Sequence, residues 1–442
     1  MKNLLPIIKQ NLTILAAGIF FEIIFLLFFL IEPLRHYLGD ASATLHNNFI
    51  FITLVLALAF QCFIYISLRQ TATKNNFKII LIFFLLFNAT LLFVWPIASN
   101  DLFVYISQGR LISFGHLNPY AHSYSSFSND VLFNQINTPW TNNHTSIYGP
   151  IFLIISAILT PLGGNSLILS IFIFKLFFVF LNIVCGYLIY RITEKTEIFF
   201  LYAWNPLILF ELAANGHNDV ITIFLLLLSL FFIVRKNNRP LNIFYSYIFL
   251  VLSALIKYFT LPLLPIYALA TSAAYESWKE KAYYLLKLAV ITLAILFLSF
   301  CLFWEGPNTF LDLNKYIIGN QTRAIWCPFI IVLYLLVPQT WNQNYIQIIY
   351  FTGKAVFLFF YLLLFALIAK DGKQAQSILL VKYFSITIFI FLTFFFTWLV
   401  PWYFTILITL LILYYGFSQS KLSLLTANFF LFYGVLYYLI LR

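Results

Sequence analysis

Acids are scarce in this chain, 14 Asp and Glu among 442 residues, so each one is conspicuous. Asp101 is the only acid between Asp40 and Asp130 and follows directly on a long apolar run. A carboxylate at the edge of hydrocarbon is partly desolvated and can act as a general base. Ser99, Asn100 and Asp101 are equally the residue types that cap a helix by accepting its free N–H groups, and on local sequence both readings stand. A second concentration, Glu211 to Asp219, packs Glu211, Asn215, His217, Asn218 and Asp219 into nine residues between two apolar runs. Polar clusters that close to hydrocarbon usually face a polar cavity. A helix-to-helix turn capped by Asn218 or Asp219 accounts for one of these residues but not for all five. Three cations, Arg110, Lys257 and Arg323, are candidates for holding an anion such as a phosphate. Snorkelling is the plainer account of Lys257, and an exposed loop charge that of Arg323. Trp398, Pro401, Trp402 and Tyr403 read by default as an aromatic belt. His116, His122 and His144 share one loop but lack helical i, i+4 partners, so they give little sign of a metal site. Asp130 falls in no motif. Cys62, Cys185, Cys301 and Cys327 show no metal-ligand spacing and read as structural, with a Cys301–Cys327 disulfide left open.

The elements that must position these groups follow from composition. Hydrophobic residues make up 63% of the chain and charged ones 9%, with mean hydropathy +0.95, so a water-soluble fold has nowhere to hide the apolar surface. Segments such as 12–31, 77–97 and 282–303 approach or exceed the roughly 18 residues that span a hydrocarbon core. In lipid each must satisfy its backbone internally, so each is a helix. The first is too long for a signal-peptide core, and no small-residue cleavage pattern follows it, so it is expected to be retained. The net charge of +11 lies mostly in short loops between spans, the pattern of membrane orientation and not of a nucleic-acid surface.

If the clusters Lys2/Lys9, Arg69/Lys74/Lys78, Arg191/Lys195, Arg235/Lys236/Arg239, Lys279/Lys281, Lys370/Lys373 and Lys421 are cytoplasmic, alternation predicts about 13 transmembrane helices, N-terminus in and C-terminus out. The half-length apolar pieces 151–162 and 325–337 are then expected to dip partway in from outside. Outer loops are predicted at 98–148, 213–219 and 306–324, with a further outer turn around Pro401. Helical spacing over 101–114 predicts an interfacial helix with Asp101, Tyr105 and Gln108 on one side. Asn118-Pro119-Tyr120 and the Ser/Asn-rich run to Asn143 read as irregular, and Tyr148-Gly149-Pro150 restarts an apolar helix. No fixed-period repeat or separate soluble domain is visible, so 1–442 reads as one all-α polytopic membrane domain.

These segments, taken in order, resemble the GT-C superfamily of membrane glycosyltransferases, nearest the bacterial polyprenol-phosphomannose-dependent mannosyltransferase group. The resemblance rests on Asn100-Asp101 through Tyr105 to Gly109-Arg110, then Asn118-Pro119-Tyr120, Trp140, Tyr148-Gly149-Pro150, Asn205-Pro206 with Glu211, Gly216-His217-Asn218-Asp219, Lys257 and Pro401-Trp402-Tyr403. Each motif is short, and their order is the specific part. The resemblance implies a GT-C fold and an enzyme that moves a sugar, a hexose such as mannose, from a polyprenyl-phosphate donor to a hydroxyl of a glycan, lipid or protein. The work would be done at the outer, periplasmic face of a bacterial inner membrane. Asp101 would then be the base, and Arg323, Arg110 and Lys257 would meet the donor phosphate. Tyr105, Gln108, Asn118, Tyr148, Glu211, His217, Asn218, Asp219, Trp402 and Tyr403 would hold sugar or acceptor. Asn100, not a second Asp, precedes Asp101, so there is no Asp-x-Asp pair and metal dependence stays open, with a divalent cation the one cofactor in question. Other classes remain in view. A transporter or lipid flippase would favour internal repeats and helices broken near the midplane. A scaffold would leave the acidic loops unexplained, and a lipid-linked oligosaccharide polymerase or ligase would share the donor chemistry.

Overall fold

The computed structural model describes residues 4–31, 48–96, 98–136, 138–234, 240–310, 343–371, 377–396 and 399–440. Helix dominates them, and no strand occurs among the described residues. Among the described residues, eight helices are long and apolar enough to cross a membrane: Pro6–Phe28, Ile52–Thr71, Lys74–Leu92, Leu167–Thr193, Trp278–Phe303, Phe351–Asp371, Ile378–Phe395 and Lys421–Leu439. The pair Thr196–Ala203 and Pro206–Ala214, bent by 45°, counts as a ninth if it is one broken span. Five shorter apolar helices join them: Pro150–Gly163, Asp219–Val234, Leu241–Lys257, Leu263–Ser272 and Tyr403–Ser418. Large apolar side chains such as Leu12, Phe63, Leu293 and Phe297 are exposed on these helices. Apolar exposure repeated over so many helices suits lipid, and the chain is an all-α polytopic membrane protein. The segment 325–337, most of the loop 306–324, Cys327 and Trp398 lie outside the described residues, whereas Cys62 and Cys185 are buried free thiols and Cys301 is an exposed one.

The helix expected over 101–114 is present as Asp101–Ser113. It does not lie with one face bare. Nine of its residues, Leu102 and Val104 through Leu111, are buried against Pro150–Gly163 and the 124–143 loop segments. The charged end of this helix is set by anchors outside it. Lys175 is buried in the 27-residue helix Leu167–Thr193, and its ammonium donates to the carbonyls of Leu91 (2.8 Å) and Val94, at the C-terminal end of Phe77–Leu92. Leu91 O also accepts the Val94 N–H at 3.2 Å, and a cation at this helix end opposes the negative end of the helix dipole. Four residues later the Ala98 N–H donates to Asn215 Oδ1 at 3.2 Å, so the chain enters Asp101 held from two sides.

Gly149 fixes a second approach. Its N–H donates to Ile256 O at 2.8 Å, and a Cβ at this position would sit 1.9 Å from Leu255 O. Only glycine lets the start of Pro150–Gly163 meet the end of Pro240–Lys257, which sets Tyr148 beside Lys257. Away from this region, Arg69, Glu197 and Tyr415 meet, with Arg69 Nε 3.6 Å from Glu197 and the Tyr415 hydroxyl donating to Glu197 at 3.0 Å. Lys195 donates to Gly416 O close by, at 2.5 Å.

Candidate functional site

Three segments far apart in sequence converge on one imidazole. The span that begins at Thr196 breaks at Asn205-Pro206, where the Asn205 side chain caps Leu207 and Ile208 N–H at 3.1 Å. It then widens into a π-helical turn, Leu209–Ala214, that carries Glu211. Such turns commonly mark functional positions, because the inserted residue redirects a side chain that a regular helix would point elsewhere. Gly216, at φ +72°, reverses the chain so that His217, Asn218 and Asp219 follow at the head of Asp219–Val234.

His217 is fully buried. Its Nδ1 faces Asp101 Oδ2 at 3.4 Å and its Nε2 faces Glu211 Oε2 at 3.3 Å, while its ring stacks on Trp402 with centroids 4.0 Å apart. The nitrogen contacts are longer than aligned hydrogen bonds and act chiefly through charge. Glu211 also accepts from Asn215 Nδ2 (3.1 Å) and from the Tyr438 hydroxyl (2.6 Å). The Tyr105 hydroxyl donates to Asn218 Oδ1 at 3.1 Å, lies 3.4 Å from Asp101 Oδ2, and accepts the Asn218 N–H at 3.3 Å. Asp219 accepts from Lys257 Nζ at 2.7 Å, and that ammonium sits 4.9 Å from the Tyr403 ring centroid and 5.8 Å from that of Tyr148. Lys257 is thus paired and cradled by aromatic faces, not snorkelling. Trp402 and Tyr403 are buried wall residues of this cluster, and the aromatic-belt reading gives way for both.

Accessibility separates the three carboxylates. Glu211 and Asp219 are closed off, and the Asp101 side chain is 26% exposed. No side-chain cap bond is made at Asn100, Ser99 Oγ accepts the Asp101 N–H at 3.0 Å, and the Asp101 carboxylate itself meets Tyr105 and His217, each at 3.4 Å. Burial works to raise the Asp101 carboxyl, but the His217 contact and charge, aided by Lys257 and Ser99, outweigh it and hold the group below its ordinary range. Burial likewise works against an imidazolium at His217, yet Asp101 and Glu211 together lift it above the usual histidine value. Asn218 Nδ2, Asp219 Oδ1 and Trp402 Nε1 are buried without a hydrogen-bond partner among the described residues. Unpaired polar atoms of this kind are costly, and a hydroxylated ligand or water would satisfy them.

Arg110 belongs elsewhere. Its Nε and Nη2 form a bidentate pair with Asp130, both at 2.5 Å, and Nη1 donates to Gly164 O at 2.6 Å, all beneath a Phe114 ring 4.6 Å away. Tyr124 donates to the same Asp130 carboxylate. Burial tends to raise the Asp130 carboxyl, but these donors keep it low. Asp130, assigned no part from sequence, is therefore a buried anchor of the long loop, and the Arg110 guanidinium is taken up with it. Gln108 accepts from Ser146 (3.2 Å) and Asn118 donates to Phe303 O (2.7 Å); both tie loops together away from His217. Arg323 lies outside the described residues. Among those described, no group of three or more His, Cys, Asp or Glu is arranged to hold a metal ion. Sequence reading missed Lys175 and Tyr438. Lys175 left a signal, being the only charged residue between Asp130 and Arg191. Tyr438 left none, since it is one of 28 tyrosines and 227 residues from Glu211.

Comparison with known proteins places this geometry. The family model described as "Alpha-(1->6)-mannopyranosyltransferase, N-terminal domain" matches residues 32–273, which include Asp101, Glu211, His217, Asp219 and Lys257 but not Trp402. An alpha-(1->6)-mannopyranosyltransferase A of Corynebacterium glutamicum is 24% identical over 151 residues, 33% of this chain and 30% of the relative. One of the same name from Mycobacterium tuberculosis is 26% identical over 155 residues, 34% of this chain and 30% of the relative. The alignments thus span less than a third of either relative's length. No solved structure matches. With the match covering more than half of its 442 residues, in the region that carries most of the motifs and the polar cluster, the chain belongs to the alpha-(1->6)-mannopyranosyltransferase N-terminal-domain family.

Proposed function

We propose that this protein is a glycosyltransferase that moves a mannosyl unit from a polyprenyl-phosphate donor to an acceptor hydroxyl of a glycan, lipid or protein, at the outer face of a bacterial inner membrane. The observation that carries the reading is that Asp101 is the one accessible carboxylate in a cluster of three, beside a buried, paired ammonium and three polar atoms without a partner among the described residues. In the reaction the acceptor O–H proton passes to the Asp101 carboxylate as the acceptor oxygen bonds to the sugar C1. The bond from C1 to the phosphate oxygen breaks, and the polyprenyl phosphate leaves with the electron pair. Lys257, and Arg323 from its loop, would meet the charge that develops on that phosphate. Asn218, Asp219 and Trp402 offer a donor, an acceptor and a second donor to sugar or acceptor hydroxyls. Family membership and the two relatives named mannopyranosyltransferase support mannose as the sugar.

The test is to incubate purified protein in proteoliposomes with radiolabelled polyprenyl-phosphate sugars and nucleotide sugars. Label from polyprenyl-phosphate mannose is expected in an acceptor glycan, and none directly from nucleotide mannose. Movement of the lipid-linked sugar across the bilayer without transfer would support a flippase and overturn the proposal, as would use of the nucleotide sugar alone.

A further inference from the structure

His217 makes no direct approach to open solvent, yet it touches the proposed base through one ring nitrogen and a fully buried acid through the other. A histidine that only filled space would not need two carboxylates. We infer that His217 is a positioning residue of the transfer reaction, which, as an imidazolium clamped between Asp101 and Glu211 and stacked on Trp402, aims the Asp101 carboxylate and keeps it ionised until an acceptor hydroxyl arrives. The inference rests on the reading of Asp101 as the base.

The surroundings decide which charges matter. From the Asp101–Ser113 helix, Asp101 and Tyr105 face this region; from the π-helical turn, Glu211; from Asp219–Val234, Asp219. Pro240–Lys257 supplies Lys257, which is paired to Asp219, and Lys421–Ile440 supplies Tyr438, which donates to Glu211. Tyr403 follows Trp402 and turns to Lys257, and Lys175 lies below Gly216 with its ammonium on backbone carbonyls. With Asp219 matched by Lys257, His217 is left as the counter-ion shared by Asp101 and Glu211. Glu211 balances the imidazolium and so leaves Asp101 able to take a proton, a balance that neither carboxylate could strike alone.

The signs give two limbs in a pH profile. His217 is held above its ordinary range, so its charge is present at lower pH and is lost as pH rises through that raised value. Asp101 is held below its ordinary range, so the base is lost only as pH falls through that lowered value. Turnover should therefore fall on the basic side, where a neutral His217 no longer aims the still ionised Asp101, and on the acidic side, where Asp101 itself takes a proton.

The experiment compares kcat/KM against pH for the parent and Glu211→Gln, and follows the His217 imidazole by NMR of histidine-labelled protein, assigned by its loss in His217→Gln. Removing one adjacent charge should move the basic limb and the imidazole titration down together by roughly one to three pH units. His217→Gln should erase the basic limb and raise the acidic one, as Asp101 loses its cation. A basic limb and imidazole titration unmoved in Glu211→Gln would overturn the inference. If that variant does not fold, the imidazole titration in Asp101→Asn serves instead: a downward shift supports the clamp, and no shift overturns it. Failure of the base reading looks different, because Asp101→Asn would then turn over normally whatever the imidazole does.

Discussion

The long loop and the segments around it bury charge in two places, and the two are built to opposite rules. At Arg110–Asp130 both partners are about 2% exposed, the pairing is bidentate, and Gly164 O, Tyr124 and the Phe114 ring complete the shell. Around His217 the contacts to Asp101 and Glu211 are long, three neighbouring polar atoms lack partners among the described residues, and one carboxylate opens outward. A closed shell holds a loop in place, because nothing entering it can find a free donor or acceptor. An unfinished shell is where a ligand's hydroxyls gain most. Arg110 and Asp101 lie nine residues apart on one helix, so satisfaction of the neighbours, and not proximity in sequence, separates the anchor from the candidate site.

The sharpest way to break this comparison is Asp101→Asn. It keeps size and shape but cannot accept a proton, and transfer should fall by about 10²- to 10⁴-fold with thermal stability close to the parent. Turnover above about a tenth of the parental rate would remove Asp101 from the role of base. Arg110→Ala tests the other half. Removing one member of a buried pair strands the other charge, and stability should fall by about 3–5 kcal/mol, read from thermal unfolding in detergent. Turnover per folded molecule should hold, and a variant that unfolds like the parent but cannot transfer would erase the distinction. Lys257→Gln should weaken donor use by about ten- to hundred-fold, the range of a lost charge-assisted hydrogen bond of roughly 1.5–3 kcal/mol, with the loss in the donor KM. If KM is unchanged and only stability drops, Lys257 serves Asp219 alone. The smallest effect belongs to Trp402→Phe, which keeps a ring over His217 and loses Nε1. A two- to tenfold loss of turnover is expected, the size of roughly 0.5–1.5 kcal/mol from one neutral hydrogen bond to a substrate hydroxyl.

The motifs in the sequence identified more of this region than their individual brevity suggests. Ten candidates, Asp101, Tyr105, Tyr148, Glu211, His217, Asn218, Asp219, Lys257, Trp402 and Tyr403, form one connected cluster. They were legible because acids, amides and histidines beside hydrocarbon are expensive and so stand out by rarity alone. Arg110 was singled out by the same logic, and the fold pairs it with Asp130. A cation beside an apolar run draws attention whether or not it has a partner, and its partner Asp130 sits 20 residues away in an irregular loop.

By itself the sequence determined that this chain lives in a membrane as a set of helices, because hydrophobic content and span length are sums over local residues that no fold can change. It also determined which polar residues were too costly to be idle. Tertiary structure alone decided what each of them does. Lys175 ends a helix, Arg110 closes on Asp130, and His217 joins Asp101 to Glu211, because a buried polar group takes its role from the atoms within about 3–4 Å of it. Those atoms come from Leu91, Asp130, Asp101 and Trp402, which chain folding, and not chain order, brings within reach.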